Sequence, residues 1–419
     1  MTPPLNTLLL SRFRPDRPTG GAALRNRQNL QALARLGPVD VMTISERPET
    51  DGEPLASPLV RDWSPYSLRD EHSRRSTWDQ FRARAWPVRP GIHPAVDHYR
   101  RETVVRELQR LLAARRYDIV VVEELSLAGY LPVLRRAGVR VVFDAHNVES
   151  RLRQELTGAS GTTRSVLRRQ WQRLRARRLF AEEQRAVQQA DVVWACSALD
   201  ARELQALYQP RRPVAVVPNG IDVGAYAGPG QIAADSDWSG HPLTLSFLGT
   251  YSYRPNEDAA LQLMTGILPL LQQQQHHARL LLIGRDPTPA MREAAVGRSD
   301  ITITGAVDSI LPHLQRPSIV TLPITLGSGT RLKILEAFAT QRPVVSTVKG
   351  AEGLEVTDGQ HLLLRDDAEG MAAAVVELWT GRDRRARLCQ AAHRLVSERY
   401  SWLAAAEAVA ASLASVPAD

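Results

Sequence analysis

The sequence is poor in cysteine and contains no long apolar run. Cys196 and Cys389 are the only cysteines among 419 residues, and two cysteines cannot build a disulfide framework. No stretch approaches the ~18 uninterrupted apolar residues of a membrane-spanning helix. The first residues, MTPPLNTLLLSRFRP, lack a basic leader, and their apolar run is too short for a signal peptide. The chain is therefore expected to be cytoplasmic.

Lysine is also scarce, although the protein is basic. The net charge is +8 with 53 basic residues, yet only Lys333 and Lys349 are lysines. So uniform a preference for arginine indicates coding bias, and a lysine that persists inside a glycine-rich motif is more informative than any single arginine. The excess positive charge suits phosphorylated ligands or anionic lipid. No basic patch is interleaved with aromatic residues, and nucleic acid is therefore not expected as a partner.

Short apolar runs alternate with helical patterns along the whole chain. One series of strands is predicted at 7–10, 39–44, 118–123, 139–144, 191–195 and 214–217, and a second at 243–248, 279–283, 301–304, 319–322, 343–347 and 361–364. Helical patterns lie between them, for example at 24–36, 103–115 and 164–189. Apolar strands that alternate with helices predict parallel sheets covered on both faces.

The two series favour two doubly wound α/β domains over one eight-fold barrel. Residues 222–241 are rich in Gly, Asp and Ser, which is typical of a linker, and they separate the two series. Residues 46–94 form a second irregular segment, either a lid on the acceptor side or an ordinary surface loop. An Ala-rich helix is predicted at 401–413.

Ligands of open parallel sheets bind beyond the carboxyl ends of the strands, which directs attention to two short segments. Gly20 and Gly21 lie between the first strand and a helix, where free N–H groups can hold an anion; a plain tight turn is the alternative. His146 follows the fourth strand between Asp144 and Asn147. It could orient a hydroxyl or pass a proton, and a satisfied structural histidine is the equal alternative.

The segment 327–336, Gly-Ser-Gly-Thr-Arg-Leu-Lys-Ile-Leu-Glu, carries the strongest signal. A glycine-rich turn enters a helix whose first N–H groups can hold a diphosphate, and Arg331 and Lys333 add positive charge. Glu336 lies where a carboxylate could accept both hydroxyls of a ribose. A dinucleotide fingerprint would need a third glycine, and a P-loop would need Gly-Lys-Ser/Thr, so neither pattern is complete here.

Together these segments resemble the retaining glycosyltransferases of the GT-B fold, group 1 type, family 4. The similarity extends over nearly the whole chain through TGG at 19–21, DAHN at 144–147, PNGID at 218–222, FLGT at 247–250, Gly284, TGAV at 304–307, the segment 327–336, RPVV at 342–345 and RYSW at 399–402. The resemblance implies two Rossmann-like domains facing across a cleft, at 1–222 and 243–399. It further implies a linker at 223–242 and a crossover helix at 400–419 that packs on the first domain.

The resemblance also implies the site. Its catalytic residues are His146 and Glu336, and its donor-binding residues are Gly20, Gly21, Gly249, Thr250, Arg254, Asn256, Val307, Ser328, Gly329, Thr330, Arg331, Lys333 and Glu336. Two of these depart from the family pattern, because Thr250 replaces an expected Arg and Ser328 an expected Glu. We expect Arg331 and Lys333, with Arg254, to replace the missing diphosphate contacts.

The implied reaction retains anomeric configuration without an obligatory metal or other cofactor, and cations and N–H groups stabilise the leaving diphosphate. The nucleotide-diphosphate-sugar is the donor, and the acceptor is a hydroxyl of a glycan, a lipid-linked molecule or a small molecule, in surface polysaccharide or glycoconjugate synthesis. The carboxylates of Asp235 and Asp237 are interpreted as a solvated loop, not a metal site. Residues 151–185 are dense in Arg and include Trp171; they either form a solvated helix face or contact anionic lipid at the inner face of the membrane.

Three other functions are alternatives to sugar transfer. A sugar-nucleotide epimerase shares the double fold but uses no acceptor, and His146 with Tyr400 and Trp402 favours the transferase. A non-catalytic family member that acts as a binding partner is kept open by Thr250 and Ser328. A cofactor-dependent phosphorylase needs a lysine that forms a Schiff base with the cofactor. The chain has only two lysines, both expected near the phosphate side of the site, so a phosphorylase is not expected.

Overall fold

A computed structural model of the chain describes residues 4–16, 20–46, 57–68, 92–158, 166–227, 233–327 and 331–414. These residues form two compact units. The first comprises the chain up to Pro218 and again from Ala405, and the second extends from Asn219 to Ala404. Ser328, Gly329 and Thr330 of the predicted donor site lie outside the described residues, as does most of the segment 46–94.

The first unit contains a seven-stranded sheet with the order β3-β2-β1-β4-β5-β6-β7. Its strands are β1 Thr7–Ser11, β2 Val39–Ser45, β3 Val60–Ser67, β4 Ile119–Glu123, β5 Arg140–Ala145, β6 Val192–Ala195 and β7 Ala215–Val216. Every pairing is parallel. Leu8 and Leu10 pack into one apolar core and Leu9 into another. Because successive side chains of a strand point to opposite faces, the sheet has a core on each side.

Helices cover both faces of this sheet. They are α1 Gly21–Ala34, α2 Pro94–Tyr99, α3 Glu102–Ala114, α4 Leu131–Arg136, α5 Glu149–Gly158, α6 Val166–Gln189 and α7 Ala198–Tyr208. From Ala405 the last helix of the chain also belongs to this unit, and the indole of Trp194 donates to the hydroxyl of Ser412 at 2.8 Å.

The second unit contains a six-stranded sheet with the order β10-β9-β8-β11-β12-β13. Its strands are β8 Leu243–Leu248, β9 Ala278–Ile283, β10 Ile301–Ile303, β11 Ile319–Leu322, β12 Val344–Ser346 and β13 Leu363–Leu364, all paired in parallel. The helices are α8 Arg254–Gln262, α9 Leu268–Gln273, α10 Pro289–Ala294, α11 Leu311–Leu314, α12 Leu332–Ala339, α13 Ala368–Thr380, α14 Arg382–Arg399 and α15 Trp402–Ala414. α15 crosses the boundary between the units at Ala405.

The two parallel α/β sheets confirm the predicted fold class. One strand was missed, because β3 lies inside the segment 46–94 that was expected to be irregular. Its charged side chains and Pro65 do not fit the apolar pattern of a buried strand. An edge strand tolerates them, and β3 lies at the edge of the sheet. Residues 219–242, expected to end the first domain and form a linker, lie in the second unit, where Trp238 is fully buried. Among the described residues no helix is both long and apolar enough to cross a membrane.

Candidate active site

The first helix of the chain begins at the predicted glycine pair. Gly20 is extended and Gly21 opens α1, with no side chain capping the first turn. The carbonyl of Gly20 accepts from the N–H of Leu24 at 2.9 Å, which starts the helical ladder. The N–H groups before that bond can therefore bind an anion at the positive end of a helix of 14 residues.

His146 lies among three carboxylates at the carboxyl ends of β4 and β5. Its Nε2 is 2.8 Å from Glu123 and 3.3 Å from Asp144, and its Nδ1 is 3.4 Å from Glu124. The parallel register places Glu123 directly beside Asp144. Glu124 has φ 68°, a conformation unusual for a residue with a side chain. This backbone turn accompanies the approach of a third carboxylate to the imidazole.

A buried arginine balances part of this negative charge. The Arg25 guanidinium donates to both oxygens of Asp144, at 2.7 Å from Nε, and to the carbonyl of Val217 at 2.9 Å. The amide of Asn29 donates to Glu123 at 3.0 Å and to Asp144 at 2.8 Å. A helix packed on a sheet usually buries apolar residues against it, but α1 turns polar side chains toward the strand ends.

These contacts set the protonation states of the cluster. Burial opposes ionisation of Asp144, but Arg25 and His146 outweigh it and hold its pKa well below the usual range. Burial and the charge of Asp144 raise the pKa of Glu123 to about 7. Burial also opposes the charged form of His146, but its bonds to Asp144, Glu123 and Glu124 raise its pKa well above the ordinary value. A histidine held as imidazolium has no lone pair, so it can donate a proton or supply charge but cannot act as a base.

In the second unit, two glycine loops touch at the carboxyl ends of β8 and β9. Gly284 has φ +142°, and a Cβ built there would lie 1.9 Å from the carbonyl oxygen of Gly249. Only glycine permits this approach. Beside it, the amide of Asn256 in the first turn of α8 donates to the carbonyl of Thr250 at 2.9 Å. The loops therefore form a tight backbone floor next to the N-terminus of α8.

Lys333 on α12 reaches the same place. Its Nζ donates to Oδ1 of Asn256 at 2.7 Å and lies 4.4 Å from the centre of the Phe247 ring. Among the described residues, no carboxylate oxygen lies within ion-pair distance of this ammonium group. Burial and the neighbouring charge of Arg331 lower the pKa of Lys333 to about 7. A half-buried cation without a carboxylate partner is a site for an anionic ligand.

Glu336 lies one turn further along α12. One of its carboxylate oxygens accepts from the Tyr226 hydroxyl at 3.1 Å, and its other oxygen has no hydrogen-bond partner among the described residues. Burial raises the pKa of Glu336 to about 7, against the opposing effects of Tyr226 and Lys333. Tyr226 comes from the segment that was expected to be a linker, and nothing in its local sequence marks it as a site residue.

The remaining predicted donor residues have different surroundings. Arg331 is buried and donates to the carbonyl of Gly327 at 2.8 Å, so it holds its own loop together. Arg254 is exposed at the start of α8, with Asp258 at 3.5 Å. Val307 packs at the edge of the apolar core. The structure thus brings Lys333 to Asn256, whereas Arg331 and Arg254 contact other partners.

One basic residue at this edge was not predicted. Arg285 follows Gly284 directly, and its Nε donates to the hydroxyl of Thr250 at 3.3 Å. Its side chain is 41% exposed, so the guanidinium remains accessible to a ligand. The signal that could have identified it is a basic residue immediately after the glycine that ends a buried strand. Arg285 therefore places positive charge at Thr250, where the family pattern has an Arg.

In open α/β sheets, ligands commonly bind beyond the carboxyl ends of the parallel strands, where these glycine loops, Lys333 and Glu336 lie. Family comparison identifies the class of protein. The model of the glycosyl transferase 4-like domain matches residues 20–220, and the model of group 1 glycosyl transferases matches residues 242–381. The chain belongs to the group 1 glycosyltransferases.

Solved structures agree on the fold, which is GT-B. Sucrose-phosphate synthase from Thermosynechococcus elongatus is 16% identical, with 97% of this chain and 98% of that chain covered and a TM-score of 0.69. HepE of Anabaena in complex with UDP is 14% identical, with coverage of 98% and 100% and a TM-score of 0.67. A UDP-forming trehalose-phosphate synthase from Burkholderia vietnamiensis is 16% identical, with coverage of 99% and 97% and a TM-score of 0.67. No curated protein sequence matches the chain significantly.

Proposed function

We propose that this glycosyltransferase takes a sugar from a nucleotide-diphosphate-sugar and transfers it, with retention of configuration, to a hydroxyl of a glycan, lipid-linked or small-molecule acceptor. The observation that carries the proposal is that Lys333 and Glu336 lie one turn apart on the same helix, beside the loops at Gly249 and Gly284. Among the described residues, the lysine has no carboxylate partner, and one carboxylate oxygen of the glutamate accepts no hydrogen bond. A cation can bind the diphosphate of a nucleotide-sugar, and a carboxylate oxygen can accept hydrogen bonds from the ribose hydroxyls.

The donor contacts follow from this placement. Lys333 and Arg285 bind the diphosphate and stabilise the charge that develops on it as the sugar leaves. Glu336 accepts from the ribose hydroxyls through the oxygen that Tyr226 leaves open. Solved complexes of the similarly folded HepE contain UDP, UDP with glucose, and UDP-glucose, which supports a uridine nucleotide as the first donor to test.

In the first unit, the charged imidazolium of His146 supplies positive charge beside the transferred sugar or the acceptor. Its three carboxylate neighbours keep it protonated, so it does not take the proton of the attacking hydroxyl. We propose a front-face reaction in which the leaving diphosphate itself takes the proton of the attacking hydroxyl. We propose that the reaction belongs to surface polysaccharide or glycoconjugate synthesis, which is what the family resemblance implies.

The proposal is tested by binding and turnover. We expect UDP and UDP-sugars to raise the melting temperature, and Glu336→Gln to weaken UDP binding at least tenfold, because it removes the ribose acceptor. Glu398→Gln, an exposed glutamate on α14, is the matched control and should bind like the unchanged protein. Proton NMR of the first product reports its anomeric configuration. Absence of stabilisation by any nucleoside diphosphate would refute donor binding, and an inverted product would refute retention.

We also propose that α6 contacts an anionic membrane surface. Residues 169–177 of this helix are all exposed, and they combine four arginines with Trp171 and Leu174. Exposed apolar side chains between cations are the pattern of a helix that lies at a lipid interface. Such contact would bring a lipid-linked acceptor to the enzyme.

Sedimentation with vesicles tests the membrane contact. Binding to vesicles rich in phosphatidylserine, but not to neutral vesicles, is expected, and it should weaken with salt. Trp171→Ala with Leu174→Ala should reduce binding at equal net charge. Equal pelleting of this variant and the unchanged protein, or pelleting without vesicles, would contradict the proposal.

A further inference from the structure

One face of the second sheet is left open by a short connection. In the sheet order, β10 and β11 are separated by β9 and β8, so the chain must pass back over two strands. This connection contains only α11, a helix of 4 residues. Parallel crossovers are right-handed, which puts this return on the opposite face from the helices that connect β8, β9 and β10. Arg279 and Thr302, which lie within strands, are consequently exposed.

The open face forms a groove of about 540 Å³. Its floor is built by Thr244, Arg279, Leu281 and Thr302, and its wall includes His313 and Arg316 from the region of α11. This volume is within the range of small-molecule sites. The lining contains two arginines and two histidines and no carboxylate. The groove is therefore positively charged.

The two arginines have no internal partner. Among the described residues, no side chain or carbonyl accepts a hydrogen bond from the guanidinium of Arg279 or Arg316, and neither forms an ion pair. Other arginines of the same unit are paired, for example Arg298 with Asp300 at 2.6 Å and Arg365 with Asp358 at 3.2 Å. Two unpaired guanidinium groups along one groove therefore leave about two positive charges available to a ligand.

We propose that this groove binds a small organic molecule that carries a phosphate group. A phosphate dianion matches the charge of two arginines, and its oxygens accept the paired N–H groups of a guanidinium. The hydroxyl of Thr302 and the histidines supply further donors for the rest of the ligand. This site is separate from the donor site, because Arg279 and Thr244 lie near the amino ends of β9 and β8.

At Thr304 the groove approaches the donor loops. It lines the groove, and its hydroxyl accepts from the N–H of Gly284 at 3.2 Å. Substitution of Thr304 would therefore disturb both sites. Arg279 and Arg316 are the better targets, because the rest of the described chain does not depend on their guanidinium groups.

Calorimetric titration with glycerol 3-phosphate tests the proposal. The double variant Arg279→Ala/Arg316→Ala is compared with Arg387→Ala/Arg394→Ala, which removes the same charge from exposed positions on α14. We expect the groove variant to lose at least tenfold in affinity and the control variant to bind like the unchanged protein. Glycerol and glycerate, which lack the phosphate, should bind much more weakly.

Titrations repeated with saturating UDP separate this site from the donor site. Binding of glycerol 3-phosphate that persists beside UDP supports the groove, and displacement by UDP would overturn it. Equal losses in the two double variants would also overturn it, since they would indicate diffuse attraction to a basic surface. Equal binding of glycerate would refute the phosphate assignment. UDP binding by the unchanged protein and by Glu336→Gln is measured without glycerol 3-phosphate. A failure of the proposed donor site would appear in that measurement, whereas a failure of the groove would appear only in the glycerol 3-phosphate titrations.

Discussion

Lys333 provides the sharpest test of the donor site, because its charge should change when a nucleotide binds. In the free protein, burial and Arg331 lower its pKa to about 7. A diphosphate beside Nζ would stabilise the ammonium form and return the pKa toward its ordinary value. Nucleotide binding should therefore take up a proton at alkaline pH.

The size of this uptake can be worked out at pH 8. With a pKa of about 7, Lys333 is protonated in only about one tenth of free molecules, so a fully charged complex takes up ~0.9 proton. Glu336, also with a pKa of about 7, is already about nine-tenths ionised and can release at most ~0.1 proton. UDP contributes little, because its terminal phosphate, with a second pKa of about 6, is ionised as well. The net expectation is an uptake of roughly 0.8 proton for each UDP bound.

Calorimetry in two buffers with different ionisation enthalpies measures the uptake directly. Lys333→Met should abolish it and weaken UDP binding by roughly 10- to 150-fold, the effect of losing a charged hydrogen bond of about 1.5–3 kcal/mol. Arg387→Met is the control, since it removes a positive charge from an exposed position on α14. The sign is also fixed: UDP affinity should fall as the pH rises above about 7. Binding enthalpies that do not depend on the buffer, or full affinity in Lys333→Met, would refute the reasoning.

Two further substitutions test the framework around the site. Arg25→Met should lower the free energy of unfolding in urea by about 3–5 kcal/mol, because it leaves Asp144 buried without its cation; the exposed Arg35→Met should change it little, and an equal loss in both variants would contradict this. Gly284→Ala should cost at least about 1–3 kcal/mol from backbone strain at φ +142°. Its control is Gly240→Ala, where a Cβ would meet no atom within 4 Å, and unchanged stability of Gly284→Ala would show that the contact with Gly249 is relaxed in solution.

The fold could be predicted from the sequence because its information is local. Buried parallel strands are nearly continuous runs of Leu, Val and Ile, and strands such as β4, β5, β8 and β9 are recognisable one by one. The same local signal failed at β3, where charged residues and a proline are compatible with an edge strand but do not predict one. At the predicted linker 223–242, a composition typical of a linker does not exclude packing of Trp238 into a core.

The site was predictable only in part, because its partners lie far apart in the chain. Arg25 and Asp144 are 119 positions apart, and Tyr226 and Glu336 are 110 apart. A helix pattern that includes Arg25 indicates amphipathicity at most, whereas the bond to Asp144 depends on how β5 and α1 are placed in the finished fold. Sequence motifs indicate Lys333 and Glu336 as candidates because those residues share one short segment. They could not indicate that Arg331 binds its own loop or that Arg285 reaches Thr250.

The surroundings of Lys333 explain why this position carries a lysine and not an arginine. Nearly every other cation of the chain is arginine, and a guanidinium stays charged in proteins whatever its surroundings. Among the described residues, Lys333 contacts a neutral oxygen of Asn256 and the Phe247 ring, and the charge of Arg331 lies nearby. A permanent charge at this position would therefore be poorly compensated in the free enzyme. Lysine avoids this cost, because it can lose its proton when the site is empty and regain it when an anion binds. Because the rest of the chain uses arginine, the lysine at position 333 indicates that this site requires a side chain that can lose and regain its charge, which arginine cannot do.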